Sequence, residues 1–408
     1  MNKYKLSFRE SPSEIEIDLN SSKSESNRLL IIKSLSKNKI ELENLSQAND
    51  TILLKKLLQS ESKNIWDAED AGTTMRFLTS FLAITNQGVL LTGTERMKKR
   101  PIKILVDALN KIGAEISYED KDGYPPITIN KKISQVEDSI SIRGDISSQY
   151  ISSLLMIAPI LPSGLKIKII SPFYSKPYVL MTLNLMKKFG IEYRFSKSSI
   201  SIKNQEYKEG KYIVESDWSA ASYWYSFISI NKKIKEIKLK GLREDSFQGD
   251  QVIKKIMSLF NVETYYYDDG ITLRKKDFDC NYLELDFKDC PDLAQTVLVV
   301  AAYHKVKLKL YGVESLKIKE TDRLKAMSNE LKKIGVNFYN DNGVWTLDKR
   351  ENKFSNEVII ETYEDHRMAM AFAPLSSELS LTINNPNVVN KSYPSYWEDM
   401  KRAGYTII

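Results

Sequence analysis

Residues 292–302 read DLAQTVLVVAA. An aspartate stands before small residues and then an apolar run, the pattern of a capped helix that is buried rather than solvated. The pattern returns four times: DAGTTMRFL from Asp70, DISSQYISSLL from Asp145, DWSAASYWY from Asp217 and DHRMAMAFA from Asp365. Successive intervals between the five aspartates are 75, 72, 75 and 73 residues. Each aspartate is expected to cap its helix, its carboxylate accepting the free amide hydrogens of the first turn.

A second marker keeps step with the first. Amphipathic segments ending in Gly or Asn, each followed by a strand-like stretch, run LVDALNKIGAEI, LNLMKKFGIEYRF, IKKIMSLFNVETYYY, LKKIGVNFY and MKRAGYTII. Their ends, Gly113, Gly190, Asn261, Gly335 and Gly404, are residues that tolerate the left-handed backbone closing a helix. Ahead of Asp70 the Ser-rich start SSKSESNRLLIIKSL, then LLKKLL, reads as a sixth, shortened copy. Six repeats of alternating strand and helix place the chain in the α/β class.

Composition narrows the function. The 408 residues are 42% hydrophobic and 28% charged, which is globular and long enough for two or three cores. Apolar runs such as Thr296 to Tyr303 are too short to span a membrane. The N-terminal MNKYKLSFRESPSEIEI has no signal-peptide core and is too acidic for a transit peptide, so a cytoplasmic protein is expected. Two cysteines, Cys280 and Cys290, and two histidines without paired spacing support neither a disulfide framework nor a zinc site. No metal and no cofactor are expected. The net charge of +7 suits anionic partners without choosing among nucleic acid, membrane and phosphorylated metabolites.

The polar residues gather at the repeat junctions, largely at helix starts. A helix N-terminus offers free amides and partial positive charge, and small residues there (Ser24, Gly72, Thr73, Ser147, Ser148) let an anion approach the backbone. Cations stand in the same places: Lys23 and Arg28, Arg76, Arg96 and Arg100, Lys319 and Arg323, Arg367 and Lys391. Lys319 and Arg323, four apart, would share a face if that stretch is helical. Among these cations, Asp292 reads either as an N-cap or as a proton-transfer group. Glu320 reads either as a helical partner of Arg323 or as a second such group.

These segments resemble, in order, the motifs of the enolpyruvylshikimate-phosphate synthases. SKSESNR is similar to that family's N-terminal signature of Lys-Ser followed by Asn-Arg, DAGTTMRFL to its Asn-Ala-Gly-Thr-x-Met-Arg-Pro-Leu segment, and TGTERMKKRPIKILVDAL to its Arg-Met-x-x-Arg-Pro segment. DISSQYISSLLMIAP, SKPYVLMTLNLMKKFG, KIKETDRLKAM and YEDHRMAMAF follow, so the likeness runs from about Lys23 to Lys391. It implies two similar domains, each of three βαβαββ units with buried helices (an inside-out α/β barrel), and an active site in the interdomain cleft. By resemblance the crossovers fall near residues 18 and 217. This puts residues 19–217 in one domain and residues 1–18 with 218–408 in the other.

The implied activity is transfer of the enolpyruvyl group of phosphoenolpyruvate to the 5-hydroxyl of shikimate 3-phosphate, with release of phosphate. Carried over, shikimate 3-phosphate contacts Lys23, Ser24, Arg28, Ser147, Ser148, Gln149, Ser175, Tyr178, Asp292, Ser315 and Lys319. Phosphoenolpyruvate contacts Lys23, Gly72, Arg76, Arg96, Gln149, Arg323, Arg367 and Lys391. The expected proton-transfer groups are Asp292, with Lys319 adjacent, and Glu320, with Lys23 as its competitor. The expected partners are these two substrates, with no nucleic acid and no membrane, and the expected state is a monomer.

The chain departs from the family pattern at Asp70 (Asn in the family), Phe77 (Pro) and Ser315 (Asn). The sister enzymes that act on UDP-N-acetylglucosamine typically carry a reactive cysteine in the segment corresponding to TGTERMKKRPI, which here has none. A basic nucleic-acid-binding repeat protein would interleave cations with aromatics. Here the arginines sit with Ser, Gly and Asp.

Overall fold

Strands Ile65–Asp67 and Val89–Thr92 lie side by side in parallel, joined by helix Gly72–Thr85. Parallel neighbours cannot be linked by a tight turn, so the apolar run after Asp70 serves as the crossover. Helix Lys103–Ile112 follows, and then the antiparallel pair Glu115–Tyr118 and Ile127–Lys131 completes a four-stranded sheet. The element order is β-α-β-α-β-β. The computed structural model describes residues 2–9, 12, 14–37, 39–60, 64–348 and 357–408. Residues 1, 10, 11 and 13 of the N-terminal stretch read above lie outside that set.

The chain divides into two units, one of residues 22–214 and one of residues 1–21 with 215–408. The first unit repeats the module with Ser139–Ile142, helix Ser148–Ile157, Leu165–Ile169, helix Lys176–Lys188 and the pair Arg194–Phe195 and Ser199–Ile202. Its third sheet has two strands, Ile40–Glu43 and Gly210–Ile213, paired in parallel. That is the shortened copy: helices Lys23–Leu35 and Asn49–Gln59 are present, but the closing hairpin is not part of this sheet.

The second unit holds three four-stranded sheets of the same order. Glu16–Asp18 runs parallel to Glu236–Lys240 in the first, Tyr282–Asp286 to Lys307–Tyr311 in the second, and Glu357–Ile360 to Ser380–Asn384 in the third. The N-terminal strand Lys3–Phe8 completes the third, antiparallel to both Ser380–Asn384 and Tyr405–Ile407.

Side-chain chemistry explains which layer lies inside. Along LKIKI, Leu165, Ile167 and Ile169 are buried while Lys166 and Lys168 are exposed, so this sheet keeps one apolar face and one wet face. The crossover helices are buried nearly all round: every residue of Trp218–Ile230 except Ser219, and the first nine of Ala294–His304. Their Ser and Ala residues let helix backbones approach closely. The second helix of each module is more one-sided, as in Lys103–Ile112, which buries Leu105, Val106, Ala108, Leu109 and Ile112.

The capping expectation needs correction. Asp217 and Asp365 accept amides of their own helices, from Ala220 and Arg367. Asp70, Asp145 and Asp292 do not cap. Ala71, Ser147 and Leu293 occupy those cap positions, and the three carboxylates turn to side-chain partners instead. Asp70 accepts from the Thr94 hydroxyl, and Asp145 pairs with Arg143 and Ser171. At the helix ends, Gly113, Gly190, Gly335 and Gly404 have positive φ, whereas Asn261 does not. Asn261 is held by its side chain, whose amide donates to the Ser229 carbonyl at 3.0 Å and whose oxygen accepts from the Ser229 hydroxyl at 2.5 Å.

Candidate active site

In the unit of residues 1–21 with 215–408, five of the expected residues come together around a sixth, Asp292. A short 3-10 turn, Pro291–Leu293, places Asp292 ahead of helix Ala294–His304 with its carboxylate free to face side chains. Arg323 Nη1 donates to Oδ1 at 2.9 Å and Arg367 Nη2 to Oδ2 at 2.9 Å, while Lys319 Nζ lies 3.7 Å from Oδ1. Arg323 also donates through Nη2 to Glu320 Oε2 at 2.8 Å and through Nε to Asp365 Oδ2 at 2.7 Å. Lys391 Nζ stands 4.0 Å from the other Glu320 oxygen.

Local structure sets these positions. Asp322 caps helix Arg323–Lys333 and puts Arg323 on its first turn, and Asp365 does the same for Arg367 on His366–Phe372. Lys319 and Arg323 do not share a helical face as the spacing suggests. A 3-10 turn ends at Ile318, Lys319 is extended in ψ, and the α-helix begins only at Arg323. The two cations nevertheless reach the same oxygen of Asp292. Ser315 is buried within that 3-10 turn.

The electrostatics follow from this packing. Burial opposes charge on Asp292, but Arg367, Lys319 and Arg323 outweigh it and hold the carboxyl well below the ordinary range. Burial likewise opposes charge on Arg323, and Asp365, Glu320 and Asp292 more than restore it. Behind this first set stand residues the sequence did not single out. Tyr223 Oη accepts from Arg367 Nη1 at 3.2 Å. Ser219 Oγ, 3.5 Å from Arg367 Nη2, donates to Asp250. Burial and the nearby Asp292 push the Asp250 carboxyl up to about 6.

In the unit of residues 22–214, Ser22 caps helix Lys23–Leu35, and Lys23 Nζ lies 3.2 Å from Asp50 Oδ2. Arg28 is buried and donates to Thr182 Oγ1 at 2.7 Å, the Ser24 carbonyl at 2.8 Å, Ser152 Oγ at 3.3 Å and the Tyr178 carbonyl at 3.3 Å. It ties three helices together, and burial lowers its pKa to about 10. Phe77, where the family pattern has proline, lies 5.4 Å below the Arg28 guanidinium, a cation–π contact.

Arg76 Nη1 donates to the Gly72 carbonyl at 2.9 Å, and Nη2 to the Pro101 carbonyl at 3.4 Å. A Cβ added at Gly72 would lie 2.5 Å from Arg100 Nη1 and 2.6 Å from Arg76 Nη1, so glycine there is what admits both guanidinium groups. Gln149 Nε2 donates to Thr73 Oγ1 at 3.0 Å, which joins the Gly72 and Ser148 helix starts. Ser147 caps the latter helix and Ser148 is buried. Ser175 holds φ 55°, unusual for a non-glycine, at the cap of Lys176–Lys188. Arg96 stands at the cap of the 3-10 turn Met97–Lys99. Thr73 was expected at a helix start that an anion could approach; Asp50 and Thr182 were not singled out in the sequence, and nothing in their local pattern marks them.

Repeated βαβαββ modules that carry guanidinium and ammonium groups at their helix starts define a class of enzyme built to hold anionic metabolites. The fold matches that of the solved EPSP synthase from Acinetobacter baumannii, with a TM-score of 0.77 at 19% identity over 100% of this chain and 99% of that one. The family model for EPSP synthase (3-phosphoshikimate 1-carboxyvinyltransferase) matches residues 54–400, and the chain belongs to that family. Among curated relatives, 3-phosphoshikimate 1-carboxyvinyltransferase of Bacteroides fragilis strain YCH46 is 44% identical over 401 residues, 97% of each chain. The enzyme of the same name from Buchnera aphidicola subsp. Baizongia pistaciae is 34% identical over 414 residues, 94% of this chain and 95% of its own.

Proposed function

We propose that the two clusters described above do the work of this family's reaction. The chain is a 3-phosphoshikimate 1-carboxyvinyltransferase of the shikimate pathway, leading to chorismate and the aromatic amino acids. Its substrates are phosphoenolpyruvate and shikimate 3-phosphate. The 5-hydroxyl of shikimate 3-phosphate adds to C2 of phosphoenolpyruvate while C3 takes up a proton. Loss of that proton from C3 and departure of phosphate from C2 then leave the enolpyruvyl ether.

Each substrate phosphate carries roughly −1.5 to −2 charge near neutral pH, and phosphoenolpyruvate adds a carboxylate. The enzyme must therefore offset strong mutual repulsion before chemistry begins. Each unit supplies cations for this: Lys23, Arg76 and Arg96 in one, and Lys319, Arg323, Arg367 and Lys391 in the other. Ser147, Ser148, Ser175, Tyr178 and Gln149 orient shikimate 3-phosphate in this reading.

The observation that carries the proposal is the position of Asp292 between Arg323, Arg367 and Lys319. Held this way the carboxylate is ionised but weakly basic. Substrate anions that engage Arg323 and Arg367 draw charge away from it, and its affinity for a proton rises as the hydroxyl arrives. Asp292 then accepts the hydroxyl proton beside Lys319. Glu320, between Arg323 and Lys391, serves C3, with Lys23 as the competing donor.

A cytoplasmic monomer fits this reading. Among the described residues no helix is long and apolar enough to cross a membrane. Phosphate release measured with both substrates, and with each omitted, tests the function. Release is expected only with both. Release from phosphoenolpyruvate alone would make the chain a phosphatase and overturn the proposal.

A further inference from the structure

Between strand Glu357–Ile360 and helix His366–Phe372 the backbone does something L residues avoid. Tyr363 and Glu364 hold φ of 51° and 55°, two consecutive non-glycine residues in the left-handed region. Such a turn persists only where its surroundings fix it. Glu330 is fully buried at this turn, on helix Arg323–Lys333. Its Oε2 accepts the Glu361 amide at 3.0 Å, and its Oε1 accepts the Tyr363 hydroxyl at 2.8 Å. Lys333 Nζ lies 2.7 Å from Oε2 and balances the charge. Arg323, about two helical turns before Glu330 on the same helix, holds Asp365 beyond the turn. One helix thus grips the segment on both sides of its left-handed residues, and the segment delivers Arg367 to Asp292.

We propose that Glu330 is a positioning residue for substrate binding: by clamping the turn at Tyr363 and Glu364 it fixes where Arg367 stands relative to Asp292. The inference rests on the reading of Arg367 as a phosphoenolpyruvate ligand. Glu330 touches no reacting atom and acts through the backbone it holds. A glutamine there has one acceptor oxygen and one NH2 group, so either the Glu361 amide or the Tyr363 hydroxyl meets a donor instead of an acceptor, and the turn relaxes toward ordinary backbone.

The test uses the full chain with E330Q, Y363F, their double variant and R367A, measuring KM for each substrate, kcat and the thermal midpoint. E330Q is expected to raise KM for phosphoenolpyruvate about tenfold or more, with Y363F smaller and the double variant less than the product of the two. KM for shikimate 3-phosphate should move by no more than about twofold, a selectivity that general destabilisation does not give. Equal rises in both KM values, or a lowered midpoint with unchanged kinetics, would overturn the clamp. If E330Q does not fold, Y363F decides, and an unchanged KM for phosphoenolpyruvate in Y363F overturns the proposal. Should R367A leave that KM unchanged, the assignment of Arg367 fails. Should R367A raise it while E330Q and Y363F do not, only the clamp fails.

Discussion

Asp292 and Arg367 meet twice: Nη2 of the guanidinium donates to carboxylate Oδ2 at 2.9 Å, and Nη1 donates to the main-chain carbonyl of the same aspartate at 3.1 Å. The double contact fixes the arginine against both the side chain and the backbone of its partner. An anion arriving at Arg367 therefore acts on Asp292 directly, and an altered Asp292 leaves Arg367 its carbonyl anchor.

D292N separates these roles. The amide keeps the size of the side chain but cannot accept the hydroxyl proton. Turnover is expected to fall by about 10²–10⁴-fold, the usual worth of a general acid or base. Affinity for shikimate 3-phosphate, measured by calorimetry, should stay nearly intact. Turnover at the level of the unaltered enzyme would remove Asp292 from the proton path.

Gly72 gives a second prediction from geometry alone. A methyl group there would collide with the guanidinium ends of both Arg76 and Arg100, at 2.6 and 2.5 Å. Side-chain ends can move, so G72A is expected to fold. The displaced cations should raise KM for phosphoenolpyruvate by roughly tenfold, as when a charge-assisted hydrogen bond of about 1.5–3 kcal/mol is weakened. KM for shikimate 3-phosphate should change much less. Unchanged kinetics in G72A would show that the Arg76 and Arg100 positions do not bear on that substrate.

The repeat was legible because its markers are local. An aspartate, small residues and an apolar run lie within about ten positions, and the near-constant interval between copies needs no three-dimensional knowledge. The family motifs also pointed to Asp292, Lys319, Glu320, Arg323, Arg367 and Lys391, which the structure gathers in one cluster. What the aspartates do was less legible, since the local pattern does not decide between a helix amide and a distant side chain; Asp365 takes both, capping its helix while it pairs with Arg323. Arg323 and Arg367 claim Asp292, and Arg143 claims Asp145. The supporting residues were invisible for a different reason. Asp250 meets Ser219 across 31 residues, and Glu330 meets Tyr363 across 33, on elements brought together only by the fold.

Arg28 tests the difference between holding a ligand and holding the fold. Its guanidinium is buried and donates to four protein acceptors on three helices. R28A leaves Thr182, Ser152 and two carbonyls short of a donor and opens a cavity over Phe77. A stability loss of about 3 kcal/mol or more is expected, in line with other broken buried polar networks, read by urea denaturation. Shikimate 3-phosphate affinity should fall as well, because Tyr178 is anchored through the same group. A variant as stable as the unaltered protein but defective in binding would mean that Arg28 serves the ligand alone.

Asp250 makes a prediction with a definite sign in pH. Burial raises its folded pKa to about 6, above the ordinary aspartate value of 3.8. The folded state therefore holds its proton where the unfolded state has released it. The stabilising contribution of this group is complete below the unfolded value and is lost as pH rises through about 6. Asparagine cannot ionise, and its carbonyl oxygen still accepts from the Ser219 hydroxyl. D250N should therefore gain stability over the unaltered protein, on the order of 2–3 kcal/mol at about pH 7.5, and little or none at about pH 4. Urea midpoints of the two proteins at both pH values measure this. A difference that does not change with pH would mean that Asp250 titrates like an exposed aspartate, held down by Arg367 more strongly than burial lifts it.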